Sequence, residues 1–110
     1  MNKSLPLLLA AILPAASLTL NANPVAELWA DQCASCHGED GKAQTKQGKK
    51  LKIRDYSSAA VQAELKDDEM LKAILEGVIE NGKERMKGFK DEISADEAKS
   101  LVAFVRGLKA

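Results

Sequence analysis

Cys33, Cys36 and His37 are the only two cysteines and the only histidine in the chain, and all three fall within five residues, Cys33-Ala34-Ser35-Cys36-His37. The CxxCH spacing gathers two thiols and an imidazole on about one helical turn. There the thiols can add to the two vinyl groups of a haem, and the imidazole then lies beneath the iron as its proximal ligand. Two other chemistries use a CxxC pair. A dithiol or disulfide of the thioredoxin kind is expected after a strand in a βαβ unit, and no alternating β-branched run precedes Cys33. A zinc site needs four ligands, so carboxylates or a symmetry partner would have to complete it, because no further Cys or His exists in the chain. Haem attachment ranks first, the dithiol second and zinc third.

The N-terminal residues bear on that ranking. Lys3 and the free amine precede an apolar run from Leu5 to Leu20, and Leu20-Asn21-Ala22 offers a cleavage site, so residues 1–22 read as an export signal. The run is short and interrupted by proline, which argues against a transmembrane span. Export to the periplasm would normally oxidise a cysteine pair. Thioether formation consumes both thiols instead. Removing 22 of the 110 residues would leave a single domain over 23–110 with 15 basic and 16 acidic groups. Such a balance favours neither nucleic acid nor an anionic membrane as a partner. With only Trp29, Tyr56, Phe89 and Phe104 as aromatics, a core this small gains from a large apolar prosthetic group.

Helical signals dominate the rest. Asn23-Pro24 is an N-cap followed by proline at the first helical position, and Val25, Leu28, Trp29 and Gln32 follow on one face, up to the cysteines. Gly38-Glu39-Asp40-Gly41 ends that helix. Lys42 to Arg54 carries six cations and no acid with weak periodicity, and reads first as a solvated loop along one haem edge and second as a docking patch for an acidic partner. Arg54 and Tyr56 in or beside it are candidate partners for haem propionates. Ser57-Ser58 caps a short helix over Ala59 to Leu65. Asp67 or Asp68 caps the next, with Leu71, Ile74, Leu75 and Val78 on one face and Asn81-Gly82 as its stop. Ser94-Ala95-Asp96-Glu97 forms a capping box at the head of the last helix. The apolar stripe of that helix is expected to bury against the first one, through Trp29 and Phe104. No strand is expected.

One iron position remains after the proximal histidine, and the candidates to fill it are Met70, Met86, a lysine, water or nothing. Met86 lies in Arg85-Met86-Lys87-Gly88-Phe89, between helices, where a side chain can reach the far face of a porphyrin, whereas Met70 sits in a helical turn. Met86 is the expected ligand. If it does not bind, the haem would be five-coordinate or weakly closed, open to gas sensing or peroxide reaction. If no haem is attached, a dithiol oxidoreductase is left.

With Trp29 four residues before the first cysteine, the Cys-Ala-Ser-Cys-His-Gly motif, a methionine loop and a terminal Ser-x-Asp-Glu helix, the chain resembles the class I c-type cytochromes, the small soluble bacterial monohaem kind. The likeness covers nearly all of 23–110. It implies an all-α cytochrome c fold, three main helices plus a short one around one covalently bound haem c, with the N- and C-terminal helices packed together. It also implies thioethers at Cys33 and Cys36, His37 as proximal and Met86 as distal iron ligand. A proline commonly follows the ligand methionine in that family, and Lys87 stands there instead. The activity implied is one-electron shuttling by a periplasmic carrier, a monomer and not an enzyme, that docks transiently with larger redox proteins or membrane-bound electron-transfer complexes. Neither nucleic acid nor stable membrane insertion after signal cleavage is expected.

Overall fold

The structure, a computed structural model, describes residues 23–110, so the export segment expected over 1–22 lies outside the described residues. Among the described residues, six helices and one hairpin follow in the order α1 (Pro24–Gln32), α2 (Ala34–His37), α3 (Lys46–Lys50), α4 (Ala59–Glu64), α5 (Asp67–Glu76), β1 (Val78–Glu80), β2 (Lys83–Met86) and α6 (Ala95–Arg106). The architecture is the expected helical one with one addition, a two-stranded antiparallel sheet. Among the described residues, no helix is long and apolar enough to cross a membrane.

Packing begins where α1 meets α6. Trp29 and Phe104 lie with ring centroids 5.2 Å apart and tilted by 38°, so the first and last helices touch at the two residues their stripes predict. Around them Ala98, Leu101, Val102 and Val105 of α6 are buried together with Ile74 of α5 and Ile93. Burying a side chain of that size stabilises by roughly 1.5–3 kcal/mol, which makes α6 the main support of the domain. The helix is well begun, because Ser94 accepts from the Glu97 amide at 3.0 Å while the Glu97 carboxylate accepts from the Ser94 amide at 2.9 Å. Its other end is tied by Arg106, which donates to Asp67 Oδ1 at 2.8 Å, to the Gln62 carbonyl at 2.7 Å and to the Leu65 carbonyl at 2.7 Å. Buried Gln62 then donates to the carbonyls of Tyr56 at 2.6 Å and Val105 at 2.8 Å. The segment carrying Tyr56 is thus fixed to α6.

Three sequence expectations need correction. Lys42 to Arg54 contains α3, which Thr45 caps by accepting from the Gly48 amide at 2.8 Å. Five residues are too few for helical periodicity to show. The helix expected to run to Asn81-Gly82 stops at Glu76, and Val78 is in β1. Gly77, at φ 81°, ends α5, and a Cβ there would lie 2.5 Å from the Met86 carbonyl oxygen. Asn81 and Gly82, at φ 52° and 75°, form the hairpin turn instead of a helix stop; consecutive left-handed residues suit the twist between paired strands. Lastly, α5 has Lys66 at its N-cap with no side-chain cap, and Asp67, Asp68 and Glu69 occupy the first turn, where carboxylates favour the helix dipole.

Candidate functional site

Helix α1 does not run unbroken into the attachment motif. Cys33, at φ −118°, separates α1 from the single turn α2, and that turn has no length of its own to stabilise it. Tertiary bonds satisfy its C-terminal carbonyls instead. Thr45 Oγ1 donates to the Cys36 carbonyl at 2.6 Å, the Ala43 amide to that of His37 at 2.8 Å, and Trp29 Nε1 to that of Gly38 at 3.0 Å. Gly48 of α3 lies so close beneath that a Cβ would fall 2.8 Å from the Cys36 carbonyl oxygen. Each anchor is a residue outside the motif.

The side chains of the turn face a cavity of about 380 Å³, within the range of small-molecule and cofactor sites. Cys33, Cys36 and His37 line one wall and Met86 another, so all four expected site residues meet there. An inner chamber of about 60 Å³ again has Cys33, His37 and Met86 in its lining, now with Met70. Helix α5 therefore directs Met70 inward without leaving its turn. Arg54 and Tyr56 both line the larger cavity. Arg54 also pairs with Glu64.

Burial favours the uncharged forms of Cys33 and His37. Cys33 is 8 % exposed, and burial pushes its thiol up to about 11, with Cys36 adding to the shift. Burial also lowers the pKa of His37, so its imidazole stays neutral and keeps a ring lone pair for a metal. Tyr56 lies against that imidazole, with centroids 5.3 Å apart and planes within 22°. On the other side Trp29 is 5.6 Å away. Among the described residues His37 Nδ1 is buried with no hydrogen-bond partner. No disulfide joins the two cysteines. Nor, among the described residues, does any group of three or more His, Cys, Asp or Glu side chains gather that could hold a metal ion by itself. Two thiols, a neutral imidazole and an apolar slot fit a haem far better than a zinc ion.

The opposite wall comes from a stretch in which sequence reading expected no strand. Val78, Arg85, Met86, Lys87 and Phe89 face the cavity from the hairpin and the loop after it. Its base is stapled to α5, since the amides of Phe89 and Lys90 donate to the carbonyls of Ile74 at 2.9 Å and Leu75 at 3.1 Å. Gly88 permits that approach, because a Cβ would lie 2.6 Å from the Glu76 carbonyl carbon. Lys87 pairs with Glu92 and lies 5.4 Å from the centre of the Phe89 ring. Asn-Gly between short apolar and polar stretches is the signal that would have disclosed this hairpin.

Comparison with known proteins identifies the family. The family model described as cytochrome C oxidase, cbb3-type, subunit III matches residues 20–105. Among solved structures, a protein described as KustC0563 c-type cytochrome superposes with a TM-score of 0.69 at 35 % identity, covering 77 % of this chain and 96 % of that one. A point mutant of that same Kustc0563 protein gives a TM-score of 0.67 at 35 % identity, covering 77 % and 98 %. A search of curated proteins finds no match. Matched over most of its length and sharing the fold of those structures, the chain belongs to the c-type cytochrome family of that model, whose cofactor is covalently bound haem c with its iron.

Proposed function

We propose that the protein is a periplasmic carrier of single electrons whose haem is held by thioethers from Cys33 and Cys36 and by His37 and Met86 as axial ligands. The observation that carries this reading is convergence: His37 and Met86, 49 positions apart in the sequence, line the same cavity beside both thiols. Haem iron supplies a one-electron couple, and a Met/His pair favours a raised potential and leaves no position for substrate. The polypeptide's work is to bind, orient and exclude water. Trp29 and the α6 stripe keep the rear of the attachment turn dry, and Tyr56 stacks on the imidazole and limits its rotation. The hairpin delivers the thioether from the far wall.

Partners would meet the haem edge at the cavity mouth, where Lys52, Arg54, Arg85 and Lys87 supply four cations and the lining holds no carboxylate. A larger redox protein with an acidic surface is the complementary partner, held briefly and steered by charge. Optical spectra of the purified protein in both redox states test the proposal. A thioether-to-iron charge-transfer band when oxidised, with no CO adduct when reduced, is the expected result. A high-spin oxidised spectrum with ready CO binding would replace the carrier by an open haem protein.

A further inference from the structure

Helix α3 ends in a left-handed turn made without glycine. Lys52 takes φ 55°, its amide donates to the Lys49 carbonyl at 3.3 Å, and the Ile53 amide donates to that of Gly48 at 2.9 Å. This pairing satisfies inner carbonyls of the last turn and leaves that of Leu51 without a backbone donor among the described residues. The donor comes from the far wall of the cavity. Arg85 Nη2 reaches the Leu51 oxygen at 2.5 Å, across 34 residues of sequence. Both residues line the cavity. Among the described residues, this is the only hydrogen bond from the hairpin or the loop after it, residues 78–90, to the wall formed by residues 51–56. The remaining ties of that segment to the rest of the described residues lie at its base, on α5, or with Glu92 and Ile93. Glu80, on the paired strand, keeps its carboxylate 4.0 Å from Arg85 Nε.

We propose that Arg85 is a positioning residue that latches the Met86 hairpin to the carbonyl of Leu51 across the cavity mouth, and so sets how readily small ligands displace the Met86 thioether. The inference rests on Met86 being the distal ligand. A guanidinium is suited to the task because a charge-assisted bond to a carbonyl is stronger than a neutral one. Released from Leu51, the hairpin would keep its base on α5 but lose its hydrogen bond to the wall formed by residues 51–56. Its opening would then set the rate of ligand exchange.

The test compares the haem-loaded wild type with Arg85→Ala and Arg85→Lys, using imidazole with the oxidised protein as the probe. Arg85→Ala should bind imidazole about tenfold faster, the scale set by loss of one charged hydrogen bond, while keeping its thioether-to-iron band when imidazole is absent. Arg85→Lys should recover part of the slow rate. Wild-type rates in Arg85→Ala would overturn the latch. So would unchanged rates accompanied by a shifted reduction potential with altered pH dependence, which would assign the guanidinium to a haem propionate instead. If the wild type itself lacks the band and binds imidazole as fast as Met86→Ala, the failure lies in the ligand reading, and the latch falls with it. Because Arg85 lies at the rim, with its side chain 39 % exposed, its replacement should leave the helical circular dichroism of the protein unchanged.

Discussion

The two walls of the cavity are built by opposite means. Behind the attachment wall lie Trp29, Leu101 and Val105, each at most 4 % exposed, so Cys33 and His37 rest on the best-packed part of the molecule. The Met86 wall is a two-stranded hairpin whose residues are half-buried or exposed, with Ile79 70 % exposed. Two isolated strands have little stability in water. This pair is held by backbone bonds at its base, one arginine at its rim and the Lys87–Glu92 pair. Under the proposed ligand assignment, the contrast teaches that the permanent bonds to haem are placed on the core, while the exchangeable one is placed where small changes in side chains or salt can adjust it.

Substitutions on each wall put the contrast to measurement. The largest effect belongs to the attachment side: Cys33→Ala with Cys36→Ala should abolish covalent haem entirely, leaving an intact mass equal to the polypeptide alone. Met86→Ala should keep the full covalent mass yet lose the thioether band, lower the reduction potential and let CO bind. A band that survives in Met86→Ala would mean that the hairpin supplies no ligand, and the two-wall picture would need redrawing around Met70. Next comes packing. Trp29→Ala should cost about 3–5 kcal/mol in denaturant unfolding, whereas Ile79→Ala should stay within about 0.5 kcal/mol. Comparable losses at the two sites would erase the distinction between core and rim.

Smaller effects probe the rim itself. Glu92→Gln removes the partner of Lys87, a partly exposed pair worth at most about 1 kcal/mol, and the loss should vanish in high salt as measured by melting. A salt-independent loss would show that Lys87 is held by packing on Phe89 instead. The smallest effect is one of pH. The Ser57 hydroxyl and amide hold the Asp55 carboxyl below its ordinary 3.8. A depressed pKa contributes stability that is fully present above pH 3.8 and is lost as pH falls through the lower native value. Asp55→Asn should therefore differ from wild type by a constant amount above that pH and converge with it below. A difference that persists into stronger acid would exclude the Ser57 bonds as its source.

Legibility in the sequence followed the range of the interactions. The attachment motif, the Ser94 capping box and the facing stripes of α1 and α6 are carried by residues three or four positions apart, so periodicity exposed them. Even the contact between Trp29 and Phe104 could be foreseen, because each is the large aromatic of its stripe. The hairpin was missed because Leu71, Ile74, Leu75 and Val78 fit a helix as well as they fit a helix followed by a strand. Only the fold shows that Gly77 packs on the Met86 backbone. Helix α3 was hidden by its charge: lysines at most of its positions leave no apolar face to read, and its stability comes from Thr45 and the contact of Gly48 beneath α2. Arg85 looked like any surface cation, since its acceptor is a backbone carbonyl 34 residues away.

By itself the sequence made the CxxCH motif legible, because two thiols and an imidazole within five residues are a matter of local spacing, although the turn that presents them is held by Trp29, Ala43 and Thr45. Which methionines reach the cavity, how the hairpin is fastened and what closes the cavity mouth were decided by tertiary structure. These depend on contacts between segments tens of residues apart, and no local hydrogen-bond pattern or hydrophobic period encodes such distances.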